Sequence, residues 1–309
     1  MSKTQSQRKA YGEEIVALGA ENLNVVALEA DLGKSTMSSM FQDEFPERYF
    51  EMGIAEQNML STAAGLAVSG KIAYASTFAV FASGRAYDQI RQTISIGKLN
   101  VKICGSSSGL SDFGDGSTHQ AIEDVAIMSA IPNMTVLTPC DATETRQAVR
   151  AAAEIEGPVY IRVVRNDVPD YIGEDDRFEL GKLRVLKEGT DVVILAHGTM
   201  VDAAMKAAQT LAEDGISAKV VNVSTMKPFN YNAVAELTRG AKAVVTAEEH
   251  NFIGGLASEV ALALRKSAVP MDYVAVEDMF GQSAHSAEEL MIHYGLTAEN
   301  IVKKAKALL

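Results

Sequence analysis

The sequence has 309 residues, 47% of them apolar and 22% charged, and its formal net charge is −12. The length suggests two domains, and the acidic balance argues against binding nucleic acid or docking on an anionic membrane. The sequence also lacks the apolar run of about 18 residues that a membrane span needs, and the polar stretch 1–9 lacks the apolar core of a signal peptide. We therefore expect a cytoplasmic protein.

Short apolar strands alternate with helices along the first half of the chain. The predicted strands are 24–28, 71–75, 101–104, 135–137 and 159–164, and the predicted helices are 7–20, 56–68, 84–96, 120–129 and 143–153. The strands are rich in Val and Ile without clean alternation, which is typical of a parallel sheet covered on both faces.

An acidic stretch that carries Pro and Gly separates this half from a second one, in which the alternation restarts. We predict a first domain at 1–168, a linker at 169–186 and a second domain at 187–309. In the second domain we predict strands at 191–196, 218–223, 241–246 and 271–276, and helices at 201–213, 255–265, 286–293 and 297–309. The predicted fold class is α/β, with two open, mostly parallel sheets, so ligands are expected at the loops that follow strands.

Two of these loops carry carboxylates. The loop after strand 24–28 contains Asp31 and Ser35, and an ordinary turn followed by a helix N-cap has the same composition. Glu56 stands in the first turn of helix 56–68, where the helix dipole favours a carboxylate. Because that helix is apolar, Glu56 has few water contacts and can instead stay protonated or share a proton with a ring nitrogen. Spacing alone leaves both interpretations open.

Phe78 and Phe81 follow strand 71–75 and are three residues apart. On a helical turn they would face one side, either as a core pair or as a platform for a flat heterocycle.

Later loops carry a histidine and an arginine. The polar, glycine-rich loop 105–120 contains Asp115 and His119. His119 either caps an exposed loop or binds a substrate oxygen and moves protons near neutral pH. Arg165 follows strand 159–164 and suits a phosphate or carboxylate, or a salt bridge to the acidic linker.

Several other catalytic patterns are missing from the sequence. The five histidines form no HxxH or HExxH motif, and neither GxSxG nor a Walker motif occurs. We therefore predict no metal site in this chain, and no Ser/His/Asp hydrolase.

Taken together, these loops resemble the transketolase family of thiamine diphosphate enzymes. The resemblance covers the pyrimidine-binding and C-terminal domains and runs nearly end to end. It implies that Glu56 hydrogen-bonds a ring nitrogen of the cofactor's aminopyrimidine and promotes loss of the thiazolium C2 proton. It also implies that Phe78 and Phe81 stack on the pyrimidine and that Asp31 lies on the cofactor side.

The resemblance implies a substrate site as well. Asp115 and His119 match residues that recognise the donor sugar's hydroxyl and carbonyl oxygens, so His119 joins Glu56 as a predicted catalytic residue. Other positions match those that hold the substrate phosphate: Arg8, Ser35 and Arg165.

The sequence departs from the family pattern in two places. Ser107 stands where the family often has a phosphate-contacting histidine, which leaves a phosphate, a sulfonate or a neutral substrate tail open. Gly84 replaces an aromatic residue, and 85–89 looks more like deoxyxylulose-phosphate synthases and 2-oxo acid dehydrogenase beta subunits.

The family's diphosphate motif, GDG followed about 25–30 residues later by Asn, is also missing, since Asn133 follows Gly116 too closely. The resemblance therefore implies the C-terminal subunit of a split transketolase. A separate N-terminal transketolase subunit would hold the diphosphate and Mg²⁺, and the two would form a heterotetramer that moves a two-carbon ketol group between sugars. The alternatives are a 2-oxo acid dehydrogenase beta subunit, a synthase-like enzyme or a non-catalytic paralogue.

Overall fold

The computed structural model describes residues 4–309 as two α/β halves. The strands are β1 (Thr4–Ser6), β2 (Val25–Glu29), β3 (Tyr49–Glu51), β4 (Ile72–Phe78), β5 (Val101–Ser106), β6 (Thr135–Leu137), β7 (Val159–Arg162), β8 (Asp167–Pro169), β9 (Arg184–Lys187), β10 (Val192–Ala196), β11 (Ala218–Asn222), β12 (Thr225–Lys227), β13 (Ala243–Asn251) and β14 (Met271–Val276).

The α-helices cover the faces of the sheets. They are α1 (Gln7–Glu21), α2 (Gly33–Thr36), α3 (Ser39–Glu44), α4 (Glu56–Val68), α5 (Asp124–Ala130), α6 (Ala142–Glu154), α7 (Met200–Glu213), α8 (Tyr231–Leu237), α9 (Leu256–Ala263), α10 (Ala287–His293) and α11 (Ala298–Leu308).

Two open sheets confirm the predicted fold class. The first has the strand order β12-β6-β7-β5-β4-β2-β3, and all of its strands are parallel except β12, which runs antiparallel to β6. The second has the order β14-β13-β10-β11-β9, with only β9 antiparallel. A short antiparallel ladder joins β1 to β8.

The two halves share part of their core. Val193, Val221 and Val260 of the second half belong to the same apolar cluster as Leu60 and Ile103 of the first. The β12 strand, from the second half, completes the edge of the first sheet. Both halves therefore contribute to the first sheet and to the core that packs against it.

Two predicted helices are wrong in part. The predicted helix 84–96 is instead two π-helical stretches, Phe81–Arg85 and Gln89–Ser95. The predicted helix 120–129 begins only at Asp124, because Ala121 is tied to Gly109 in an antiparallel bridge.

The predicted strand 241–246 is longer in the structure than expected. The β13 strand runs to Asn251, so Glu248, Glu249 and His250 are buried strand residues.

Candidate active site

Glu56 opens α4 and is almost completely buried, as the apolar helix predicts. Its side chain is 1% exposed, and Nη1 of Arg85 lies 2.9 and 3.0 Å from its two carboxylate oxygens. The positive end of the helix dipole also faces this carboxylate. Glu56 therefore presents a buried acceptor whose partner, Arg85, has a side chain that is 48% exposed.

Phe78 and Phe81 form a stacked pair next to this carboxylate. Their centroids are 6.0 Å apart at an interplanar angle of 14°. Phe78 is the last residue of β4 and Phe81 begins a π-helical stretch, so the expected helical face is wrong although the rings do meet. The Arg85 guanidinium lies 4.5 Å from the Phe81 centroid.

His119 joins the aromatic pair edge-on. Its ring is 5.2 Å from Phe81 and 6.2 Å from Phe78, at steep angles. Its Nδ1 lies 2.9 Å from the Thr118 hydroxyl. The structure thus brings Glu56, Phe78, Phe81 and His119 into one group.

Arg8, Ser35 and Arg165 meet in a second group. Arg8 donates to the backbone carbonyl of Ser35 at 2.6 Å, so Ser35 takes part through its backbone. Arg165 donates to Asp112 at 3.0 Å. Burial lowers the pKa of Arg8, and the nearby Arg165 cation lowers it further. The two guanidinium groups suit an anion, and the carboxylates of Asp112 and Asp167 act on the pKa of Arg8 in the opposite direction to Arg165.

Asp112 links the two groups, and the sequence did not single it out. Burial raises the pKa of Asp112, Arg165 opposes that rise, and the neighbouring Asp115 adds to it. His119 is close enough to act on the same carboxyl. The predicted Asp115 is itself exposed, on a 3₁₀ turn that displays it beside Asp112.

Asp31 lies at a separate edge of the site. It has a left-handed backbone with φ of 62°, and it lines a pocket of about 380 Å³ with Ser35, Tyr49 and Glu51. Its amide donates to Glu51 at 2.9 Å, and so does the amide of Gly53, three residues before Glu56. Glu51 therefore holds the Asp31 loop against the segment that leads to Glu56.

Sequence reasoning missed Arg85 as a partner of Glu56, Asp112 as a partner of Arg165, and Glu51. All three act through contacts between distant segments, for which a single sequence carries no periodic signal. Ser107, the position that departs from the family pattern, is buried with φ of 52°, and its hydroxyl has no hydrogen-bond partner.

The chain belongs to the transketolase family. Residues 3–170 match the family model "Transketolase, pyrimidine binding domain", and residues 181–301 match "Transketolase, C-terminal domain". Over its length the chain therefore corresponds to C-terminal sections and subunits of split transketolases.

Similar proteins match along almost all of the chain. A putative transketolase C-terminal section of Methanocaldococcus jannaschii is 43% identical over 97% of this chain and 95% of its own length. A 6-deoxy-6-sulfo-D-fructose transketolase subunit of Clostridium sp. (strain MSTE9) is 42% identical over 96% of this chain and 92% of its own. A solved split gene transketolase, described as an inactive β4 tetramer, is 48% identical with a TM-score of 0.90 and covers 99% of both chains.

Residues 4–309 contain neither a membrane-spanning helix nor a cluster of metal ligands. No helix in this range is long and apolar enough to cross a membrane. Nor does the range contain a group of three or more His, Cys, Asp or Glu side chains that could hold a metal ion.

Proposed function

We propose that this chain is the C-terminal subunit of a thiamine diphosphate-dependent transketolase that transfers a two-carbon ketol group from a ketose to an aldose. The observation that carries the proposal is the buried Glu56 carboxylate, which faces a planar cation resting on Phe81.

The position of Arg85 supports the fit of an aminopyrimidine. Its guanidinium is flat, donates N–H groups to Glu56 and lies 4.5 Å from the Phe81 centroid. A pyrimidine ring held by Glu56 would use the same carboxyl group, with a proton shared between it and a ring nitrogen, and the same aromatic face. Because the Arg85 side chain is half exposed, it can turn outward when such a ring enters.

Thiamine diphosphate would supply, when bound, a nucleophilic thiazolium carbon for ketol transfer. In this proposal Glu56 would share a proton with a ring nitrogen of the pyrimidine, donating it as the protonated carboxyl and accepting it back as the carboxylate. Phe78 and Phe81 fix the ring plane, with Asp31 on the cofactor side. His119, edge-on to the aromatic pair, is placed to bind a donor oxygen and to move a proton.

The paired cations favour a substrate with an anionic tail. Arg8, the Ser35 backbone and Arg165 form the tail site, and Asp115 would bind a donor hydroxyl. A sulfonate needs the same planar donors as a phosphate, and the Clostridium relative is named for a sulfosugar. The buried Ser107 hydroxyl has no hydrogen-bond partner and does not decide between the two groups.

The partner would be a separate N-terminal transketolase subunit that holds the diphosphate and Mg²⁺, in a heterotetramer. The solved split-gene relative supports this arrangement, because its β subunits alone are described as an inactive tetramer. We accordingly expect this chain by itself to bind thiamine diphosphate and Mg²⁺ only weakly. Tight binding in calorimetry without a partner would contradict the split arrangement.

Reconstitution with the N-terminal subunit tests the reaction. Ketose phosphates and sulfosugars with an aldose acceptor should be turned over, whereas turnover only of pyruvate or branched 2-oxo acids would favour the dehydrogenase alternative. Turnover of neither class of donor would point to a non-catalytic paralogue.

Glu56→Gln tests the assigned role in the same complex. Since an amide cannot hold the shared proton, kcat should fall by about 10²–10⁴-fold. Glu21→Gln is the control: it changes an exposed carboxylate that pairs with Arg150, and this variant should turn over normally. Wild-type turnover by Glu56→Gln would refute the assignment.

A further inference from the structure

The segment Leu110–Gln120, here called the substrate loop, carries both Asp115 and His119 and is fixed at its base. Gly109 and Ala121 exchange two backbone hydrogen bonds, of 2.8 and 3.0 Å, which close the loop at its neck. Asp115 is exposed and His119 half-buried. The neck brings the two ends together, and other contacts must set the direction in which the loop points.

Those contacts come from the second half of the chain. Oε1 of Glu249, in β13, accepts a hydrogen bond from the Leu110 amide at 2.6 Å. Its Oε2 accepts from the Thr199 hydroxyl at 2.6 Å, and its own backbone carbonyl accepts from Arg162 at 2.9 Å. The carboxylate is 3% exposed and is thus held on both oxygens.

The backbone at the neck is shaped for this carboxylate. Gly109 has φ of 62°, and a Cβ added there would lie 2.4 Å from Oε1 of Glu249. The side chain of Leu110 is buried in the apolar core of the second half, together with Met200 and Val245. The hydrogen bond to the Glu249 carboxylate and the packing of Leu110 in the apolar core together fix the position of the neck.

The loop also contacts a second segment of the second half, residues 280–284, through its C-terminal residue Gln120 and through Phe113. Gln120 donates to the carbonyl of Gln282 at 3.0 Å and to that of Asp112, within the loop, at 3.2 Å. The amide of Ala284 donates to the carbonyl of Phe113 at 2.9 Å. The approach is close, since a Cβ on Gly281 would lie 1.7 Å from Oε1 of Gln120.

We propose that Glu249 is a positioning residue: through its bond to the Leu110 amide, the C-terminal domain aims the substrate loop so that His119 meets the Phe78–Phe81 pair. The proposal rests on the proposed function for the role of His119, but the contacts it invokes are properties of this chain alone. A displacement of about 1 Å at a reacting group typically costs on the order of 100-fold in rate. Glu249 would thus act on the reaction without touching substrate or cofactor.

Glu248 provides a matched control one residue away on the same strand. It is also completely buried, and it accepts two backbone hydrogen bonds, from Leu256 and Ala257 at 2.7 and 2.8 Å. These bonds go to the start of α9 and not to the substrate loop. Glu248→Ala should therefore lower stability about as much as Glu249→Ala does, but leave the loop in place.

Hydrogen exchange of the chain alone is the first test. In Glu249→Ala the peptide that spans 106–121 should exchange at least about tenfold faster, because the Leu110 amide loses its acceptor. In Glu248→Ala it should exchange as in the wild type, although the Tm falls. Unchanged exchange in Glu249→Ala, or equal acceleration in both variants, would overturn the proposal.

Kinetics of the complex with the N-terminal subunit is the second test. Glu249→Ala should lower the donor kcat/KM on the order of 100-fold, while titration shows unchanged cofactor affinity. Glu249→Gln keeps an acceptor for Leu110 and should restore most of the donor kcat/KM, a rescue that loss of folded protein would not produce. If Glu249→Ala fails to fold, Gln120→Ala breaks the other tie and should give the same pattern. If the wild-type complex shows no ketol transfer, the proposed function fails, whereas the exchange experiment still decides what holds the loop.

Discussion

Single carboxylates in this protein join segments that are far apart in sequence, and their protonation follows from burial. Glu29 is completely buried beside Glu51, and burial, with Glu51 next to it, raises the pKa of Glu29 to about 8. The pKa of Glu51 is lowered, although its own burial opposes this, because Glu29 and the amides of Gly53 and Asp31 hydrogen-bond to it. The proton of the pair therefore resides on Glu29 near neutral pH, and Glu51 remains the acceptor that joins two loops of the site.

This pair makes stability depend on pH in a predictable direction. The folded chain keeps a proton on Glu29 up to a pH of about 8, whereas the unfolded chain loses it near 4.5, so Glu29 makes stability fall as pH rises between these values. Glu29→Gln stays neutral and should lack this contribution. The difference in unfolding free energy between the two proteins should change by up to about 1.4 kcal/mol per pH unit in that window. Urea titrations from pH 5 to 9 measure it, and a difference that does not vary with pH would contradict the shared proton.

Arg85 and Glu56 are also coupled, and a double-mutant cycle can measure the coupling. Glu56 is buried while Arg85 is half exposed, so the interaction is weaker than a fully buried ion pair and stronger than a surface one. We expect Arg85→Met, Glu56→Gln and the double variant to give a coupling energy of about 1–2 kcal/mol in the chain alone. A value near zero would mean that the guanidinium does not rest on Glu56 in solution.

At the level of elements, the sequence predicts best what is local. The β5, β10 and β14 strands were predicted nearly as observed, because buried Val and Ile runs indicate strands without any knowledge of their partners. The three-residue strands β3 and β12 were missed because they are defined only by pairing with neighbouring strands, whereas the equally short β6 was predicted as observed. The same division holds in the site. Glu56 and the phenylalanines could be predicted from position and type, whereas Arg85, Asp112 and Glu249 are defined by partners 29 to 139 residues away.

The contact between β12 and the end of α5 also joins segments that are far apart in sequence. The ammonium group of Lys227, at the end of β12, donates to the carbonyls of Ser129 and Ile131, at the C-terminal end of α5. These are carbonyls that a helix end leaves without partners. A cation there also offsets the helix dipole.

Lys227→Met should therefore destabilise the protein by about 1–3 kcal/mol, through two lost hydrogen bonds and the lost cation. Thermal unfolding measures the change. Lys182→Met, at an exposed lysine paired only with Glu179, is the control and should shift the Tm little. Equal shifts in the two variants would show that β12 does not cap α5.

On the scale of the whole molecule, a buried polar network crosses between the two halves. Arg162, at the end of β7, pairs with Asp124 at 3.0 Å and donates to the carbonyls of Ala121 and Glu249. Tyr160 donates to the same aspartate at 2.8 Å. Because the network is buried, unfolding of the second half would leave the Arg162 guanidinium without the Glu249 carbonyl that it donates to.

We therefore expect the two halves to unfold in one transition, although chains of this size often show intermediates. Far-UV circular dichroism and tyrosine fluorescence should give coincident urea curves at a fixed protein concentration, since self-association shifts midpoints. Arg162→Met leaves Asp124 buried without its cation and should cost about 3–5 kcal/mol. It should also separate the two curves, because the halves then lose a buried contact that helps to couple them. Separate transitions already in the wild type would contradict the coupling, and so would an Arg162→Met variant that unfolds at the wild-type midpoint.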